Sequence, residues 1–427
     1  MRNKWRDGND VKLLINGEEF FPRVFECIRS AKEEIILETF IIEEDEIGCQ
    51  LQQELIAAAK RGVKVDITVD DYGTWDLSPE FTDALAAAGV RLHLFDPQPK
   101  LWGVRLNLFR RLHRKLIVID RNTGFVGGIN FAFDHVIRSG EKAKQDYAVE
   151  VHGPIVADIH KTCMLLLLRG SSRKDRRNYI RNARANEPDV AGNTRMLMVE
   201  RDNGWHSRDI ERQYLIAARV AKKRLVIANA YFFPGYRLLR SLRRAAQRGV
   251  EVTLILQGQP DMPWVTALSR LLYSYLLRSG VKIYEYCQRP LHGKVALMDD
   301  SWVTVGSSNL DPLSLSLNLE ANLVIDDQPL NNQLYEHLTG LVENHCQHLN
   351  METAQRGYWW RTPLIFLSFH FLRSFPTMIG WLPAHALQLK LVGSSKESIE
   401  KKADDIQKTR SNMDVIGEEP AYQKESS

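Results

Sequence analysis

Apolar positions along the chain change period in a fixed order, and the order occurs twice. AKEEIILETFII (from Ala31) and AKKRLVIANAYFF (from Ala221) each pass from a charged helix end into an apolar, β-branched run. AAKRGVKVDITV and AAQRGVEVTLIL then repeat a helix, an Arg-Gly stop and a strand, 187 residues apart. AAGVRLHLF and RSGVKIYEY do so again at an offset of 191, and LHRKLIVID and LHGKVALMD at 179. An Asn-Gly turn precedes each series, at Asn16–Gly17 and Asn203–Gly204. Strands alternating with helices at this spacing predict α/β layering in each copy. The pattern therefore predicts two homologous α/β units, residues 1–170 and 195–350, with 171–194 as a basic linker. An aromatic segment covers 351–392. The polar tail 393–427 has the composition of a disordered segment.

The drop in offset from 191 to 179 places about twelve extra residues in the first copy, within PKLWGVRLNLFRR. Charge is concentrated there. The formal net charge is only +4, yet Lys100 to Lys115 holds six cations and no acid, and Arg173 to Arg184 six cations and one acid. The five cysteines form no CxxC or Cys/His ligand pattern, which argues against a disulfide framework or structural zinc and for a reducing compartment. No run of 18 apolar residues predicts a membrane span, and the first residues lack the apolar core of a cleaved signal.

The chemistry lies in the last repeat. HRKLIVID reads as a strand, on which alternate side chains share a face. His113 and Lys115 then point one way and Asp120 the other; His292, Lys294 and Asp299 repeat the arrangement. The histidines and lysines are candidate catalytic residues, and the aspartates have a structural place at the strand's end. Ten residues after each Asp come Asn130 and Asn309, closing GGIN and GSSN, on a second short strand that returns toward the first. Lysine supplies a fixed cation and asparagine a neutral donor for nonbridging phosphate oxygens. Histidine can attack phosphorus or carry a proton near neutral pH. Two histidines facing each other across a pseudo-two-fold interface can divide those tasks, one forming a phosphohistidine and the other serving as acid and base. With two lysines to neutralise the phosphate, no metal or other cofactor is called for.

HxKxxxxD followed by G(G/S)xN, twice, resembles the phospholipase D superfamily over roughly residues 5–350. The resemblance implies two α/β/α sandwich units related by pseudo-two-fold symmetry, an active site at their interface and a covalent phosphohistidine. It also implies an acidic residue about thirty positions past each histidine that orients the imidazole: Asp146, in KQDYAVEV, and Glu320, in LNLEANLVI. Gly128 departs from the serine seen at Ser307, which implies a first phosphate cradle with one hydroxyl fewer.

Within the superfamily, WRDGNDVKLLINGEEFFP, RPLHGKVALMDD, VGSSNLDPLSLSLNLEAN and FHFLRSFPTMIGWLPAH resemble bacterial cardiolipin synthases, the B type above all. That likeness implies transfer of a phosphatidyl group from one phosphatidylglycerol to another, giving cardiolipin and glycerol. It also implies a peripheral enzyme on the cytoplasmic side of a bacterial inner membrane. The basic-aromatic run 100–115 and the aromatic stretch 358–383 suit an anionic phospholipid surface. No nucleic-acid partner is expected, although the basic patches would attract one. A phospholipase D-type hydrolase or a nuclease using the same His/Lys dyad is the alternative, and a non-catalytic membrane scaffold a third reading.

Overall fold

Each half begins by laying down a strand and then two strand–helix crossovers, and the sequence shows why the crossovers end where they do. In the first half β1 (Arg6–Ile15), α1 (Asn16–Ser30), β2 (Glu34–Thr39), α2 (Glu46–Lys60), β3 (Lys64–Asp70), α3 (Pro79–Ala87) and β4 (Arg91–Phe95) follow in order. The Asp45 carboxylate caps α2, accepting the Ile47 and Gly48 N–H groups at 2.9 and 3.0 Å. Ser78 caps α3, with Pro79 at its first turn. Gly62, at φ 94°, turns the chain out of α2 and into β3. A two-stranded ribbon, β5 (Lys100–Leu101) and β6 (Val104–Arg105), lies within the basic insertion. The half closes with β7 (Leu116–Ile119), β8 (Thr123–Gly127), β9 (Tyr147–His152) and α4 (Ile155–Leu167).

The structure, a computed structural model, describes residues 4–74, 76–97, 100–101, 104–105, 111–183, 187–202, 206–259, 272–311, 314–315, 317–351, 367 and 389–392. The aromatic stretch 358–383, apart from Leu367, the polar tail and Asn203–Gly204 lie outside these residues, as does most of the insertion between Lys100 and Arg110.

The segment expected to be a linker carries a helix, α5 (Arg173–Ala183), because RKDRRNYIRNA contains neither Gly nor Pro. The second half repeats the first: β10 (Thr194–Arg201), α6 (Asp209–Val220), β11 (Arg224–Asn229), α7 (Tyr236–Gln247), β12 (Glu251–Gln257), β13 (Lys282–Tyr286), β14 (Lys294–Met298), β15 (Trp302–Gly306), β16 (Glu320–Asp326) and α8 (Gln328–His345). Two edge strands, β17 (Cys346–Leu349) and β18 (Leu389–Leu391), follow.

All strands except the ribbon join one sheet. From the seam outward the first half runs β1-β9-β8-β7-β2-β3-β4-β18, and the second β10-β16-β15-β14-β11-β12-β13-β17. Strands β2, β3 and β4 are parallel, as are β11, β12 and β13. The seam is the antiparallel pairing of β1 with β10, with Arg6 opposite Met196 and Asn9 opposite Thr194. Asn9 is fully buried there. Its amide donates to the Arg6 and Thr194 carbonyls at 2.7 and 3.1 Å, and its Oδ1 accepts the Ile155 N–H at 2.8 Å.

Helices cover both faces. One apolar core packs α1, α2 and α3 on the first half, and another packs α6 and α7 on the second. A third core, with α4 and α8 above it, is shared by both halves through Leu13, Val149, Met196, Val295 and Leu323. Each such buried side chain contributes about 1.5–3 kcal/mol, so the seam is held by packing as well as by strand pairing.

Candidate active site

The two HxK segments meet where the halves meet. His113 and Lys115 precede β7 rather than lying on it, and His292 precedes β14, which begins at Lys294. The expected strand starts late because each histidine segment bonds across to the other half. The His113 N–H donates to the Leu319 carbonyl at 3.0 Å, and the His292 N–H to the Gln145 carbonyl at 2.8 Å. Isolated bridges Leu112–Leu319 and Gln145–Leu291 mark the two crossings. Between His113 and Lys115, buried Arg114 is fixed by Glu38 at 2.8 and 3.1 Å, and lies 3.6 Å from Glu200 of the second half.

The carboxylates also cross. His113 Nδ1 lies 3.0 Å from Glu320 Oε2, and His292 Nδ1 lies 2.6 Å from Asp146 Oδ2. The family resemblance implies a carboxylate downstream of each histidine in its own repeat. Both carboxylates are present, but each meets the other repeat's histidine. The exchange follows from the bridges, which bring the start of β16 to His113 and the residue before β9 to His292. With Nδ1 engaged, each ring leaves Nε2 for chemistry.

The lysines are nearly or wholly buried, Lys115 at 5% exposure and Lys294 at 0%. Lys115 Nζ donates to the His113 carbonyl at 2.9 Å, and Lys294 Nζ to the His292 carbonyl. Burial pushes the Lys115 ammonium down to about 7, with Lys294 adding to the depression and Glu320 opposing it. Burial lowers His113, helped by both lysine charges and opposed by Glu320. Burial lowers His292 further, helped by Lys294, Lys144, Lys115 and His113. Both imidazoles therefore feel both lysines, as groups sharing one site do.

Asn130 and Asn309 lie beyond β8 and β15, at the sheet edge where β7 and β14 begin. Both are buried, and their Oδ1 atoms have no hydrogen-bond partner among the described residues. Asp120 and Asp299 lie at the far ends of the motif strands. Asp120 accepts the N–H groups of Lys32, Glu33 and Glu34 at 2.8, 2.8 and 3.0 Å. Asp299 accepts those of Lys222, Lys223 and Arg224 at 3.1, 2.8 and 3.2 Å.

Ser307, expected as a cradle hydroxyl, is fully buried, and its Oγ donates to Glu320 Oε2 at 2.5 Å. At Gly128 the matching site has no room for a side chain, since an added Cβ would fall 2.4 Å from Asp146 Oδ1. Asn16, expected in an Asn-Gly turn, opens helix α1 at φ 60°. Its N–H donates to the Asp146 carbonyl, and its Oδ1 accepts the Asp146 N–H, both at 2.9 Å.

The sequence reading missed His135. It is fully buried, and its Nε2 accepts the Asn130 N–H at 3.3 Å. Its Nδ1 lies 3.7 Å from Asp146 Oδ2, and its ring stands edge-on to His292 with centroids 5.4 Å apart. Counting from the two asparagines, the second repeat has Ser314 at the matching position, so no repeat pattern flagged it. His135, Asp146 and His292 bring ligand-type atoms within 4.8 Å, the one such group among the described residues. Hydrogen bonds already use Asp146 and one nitrogen of each histidine.

The family described as "Cardiolipin synthase, PLD-like domain" matches residues 24–162 and 215–342, which together hold both motifs. The chain belongs to that family. Cardiolipin synthase B of Escherichia coli O6:H1 is 52% identical over 393 residues, covering 92% of this chain and 95% of the relative. Cardiolipin synthase B of Salmonella typhi is 53% identical over 392 residues, covering 92% and 94%. Among solved structures, a phosphatidylserine synthase of Haemophilus influenzae superposes with a TM-score of 0.61 at 18% identity, covering 84% of this chain and 95% of that one. That likeness concerns the fold. No described helix of this cardiolipin synthase family member is long and apolar enough to cross a membrane.

Proposed function

We propose that the protein is a phosphatidyltransferase that makes cardiolipin from two phosphatidylglycerol molecules, with His113 as nucleophile and His292 as acid and base. The observation that carries the reading is the pair of imidazoles, each held through Nδ1 by a carboxylate of the opposite half.

His113 Nε2 attacks phosphorus, and the bond to the leaving glycerol oxygen breaks as His292 donates its Nε2 proton to that oxygen. Glycerol departs and the phosphatidyl group stays on His113. His292, now neutral, takes the proton from a glycerol hydroxyl of the second lipid as that oxygen attacks phosphorus and releases His113. Lys115, Lys294, Asn130 and Asn309 stabilise the nonbridging oxygens through both steps.

The two imidazoles need opposite protonation states at the start. Glu320 Oε2 is shared between His113 and Ser307, which weakens its support for a charged His113. Asp146 Oδ2 lies closer to its histidine, at 2.6 Å, and supports a charged His292. Burial is the largest depressor of His292. Of the lysine charges that add to it, Lys294 and Lys115 are those a bound phosphodiester would neutralise, whereas Lys144 pairs with Asp134. Phosphate binding thus removes part of the depression and favours the charged His292 the first step needs.

Transfer rather than hydrolysis requires an acceptor hydroxyl held close while water is kept away. Peripheral attachment to the cytoplasmic face of an inner membrane, as the family resemblance implies, would present that acceptor at high local concentration. The test is incubation with phosphatidylglycerol vesicles and EDTA, followed by identification of lipids and released glycerol. Cardiolipin and glycerol are expected from the native protein, and neither from His113→Ala or His292→Ala. Phosphatidic acid alone would assign a hydrolase. Loss of activity on chelation would overturn the metal-free scheme.

A further inference from the structure

In the second half, α6 and α7 pack side by side as the outer layer. Arg248, just past α7, donates to the Ala218 and Arg219 carbonyls at the end of α6, at 2.9 and 3.1 Å. Leu238, Leu239 and Leu242 of α7 and Ile210, Tyr214 and Ala217 of α6 face the core. Arg237, Arg240 and Arg244 of α7, and Arg212 and Arg219 of α6, are exposed. Among them are exposed apolar side chains: Ile216 at 40%, Val220 at 52% and Tyr236 at 39%. Helix α7 contains no acidic residue. Of the two acids on α6, Asp209 is bonded to His206, and Glu211 lies beside Arg208 and Arg237.

The internal repeat supplies the comparison. Helices α1 and α2 occupy the same place in the first half, between the same strands. They carry Glu18, Glu19, Glu26, Glu46 and Glu54 against Arg23, Arg29 and Lys60. Two of those arginines are paired locally, Arg23 with Glu26 and Arg29 with Glu54. None of the large exposed apolar side chains among the described residues lies on α1 or α2. The fold therefore does not require an arginine face at this position, and one half alone has it.

We propose that the outer face of α6 and α7 docks the protein on an anionic phospholipid bilayer, the arginines at the phosphates and Ile216, Val220 and Tyr236 in the layer beneath. The inference rests on the lipid reading above and names a further surface for it, apart from the runs 100–115 and 358–383. Exposed apolar groups among cations fit a surface that offers hydrocarbon below its charge; a nucleic acid offers charge without that layer. The face runs the length of the helix layer. Its Tyr236 end opens α7 after β11, on the side where the Ala230 N–H donates to the Gly293 carbonyl beside His292 at 3.1 Å, and its Val220 end meets the turn that Asp299 holds.

The experiment compares the native protein with an Arg237→Gln/Arg240→Gln/Arg244→Gln variant and an Ile216→Ser/Val220→Ser variant. Co-sedimentation is measured with phosphatidylcholine vesicles with and without phosphatidylglycerol, across salt concentrations. Each arginine near an anionic surface is worth about fivefold in binding. The arginine variant should bind phosphatidylglycerol vesicles at least tenfold more weakly and lose most of its salt dependence. The apolar variant should bind more weakly while keeping its salt dependence. An Arg29→Gln/Lys60→Gln control on the first half should bind as the native protein does. Turnover of phosphatidylglycerol in neutral detergent micelles separates the two readings. There the variants should match the native protein, and a native protein inactive in micelles and vesicles alike would count against the function and not the surface. Unchanged vesicle binding in the arginine variant, or a loss confined to RNA or DNA binding, would overturn the docking surface.

Discussion

Glu320 holds His113, although the two belong to different halves of the molecule, at 3.0 Å from Oε2 to Nδ1. The reciprocal contact is Asp146 on His292. On the proposed scheme each carboxylate fixes the tautomer that leaves Nε2 for the substrate. Glu320→Gln and Asp146→Asn should keep the shape and lose that control, lowering kcat on the order of 10³–10⁴-fold. Steady-state turnover of phosphatidylglycerol, read beside an unchanged thermal unfolding profile, checks this. A loss below tenfold would argue that the carboxylates serve folding alone.

The two histidines are separable with a lipid whose leaving group needs no proton. Phosphatidyl-p-nitrophenol should give a burst of nitrophenolate with His292→Ala, because His113 can still attack. His113→Ala should give none. The reverse pattern would exchange the two roles.

Lys115 carries the pH dependence with the clearest sign. Burial brings its ammonium down to about 7, so it loses its proton as pH rises through that value. The site then has one cation fewer for the phosphate. The kcat/KM for phosphatidylglycerol should therefore fall as pH rises above about 7. Lys115→Arg, charged throughout, should lower the maximum and flatten that fall. A profile rising through this range would contradict the assignment.

Asp120 and Asp299 tie the motif strands to the turns before β2 and β11. Asp120→Ala leaves three N–H groups without their charged acceptor and should cost about 2 kcal/mol of stability. Asp299→Ala, which releases the same three groups in the second half, should cost a similar amount. Urea unfolding midpoints measure both, and the surviving folded fraction should keep measurable turnover.

Periodicity made most of this architecture legible. Arg-Gly stops before Val/Ile runs place α2–β3 and α7–β12, and the repeat offsets locate the insertion before His113. The repeated HxK spacing nominated His113, Lys115, His292 and Lys294 because alternation along an extended chain survives even where strand pairing starts later. Other features depend on contacts between halves, which no local pattern encodes. The exchange of Glu320 and Asp146 arises from the bridges at Leu319 and Gln145. Ser307 looked like a phosphate ligand because its hydroxyl stands in the motif; burial against Glu320 gives it another task. Gly128 looked like a missing hydroxyl but is an absence of space. His135 carries no repeat signal, since its counterpart in the second half is Ser314. The sign of such a residue is the place where two matched copies disagree in chemistry.

The buried Asn9 and the β1–β10 ladder sew the two halves into one sheet across the line on which the chemistry sits. Halves joined this way are expected to stay together through a reaction cycle rather than part like a hinged jaw. On the proposed scheme the donor's glycerol then leaves before the acceptor hydroxyl attacks, so the order of arrival and departure becomes a property of the stitching.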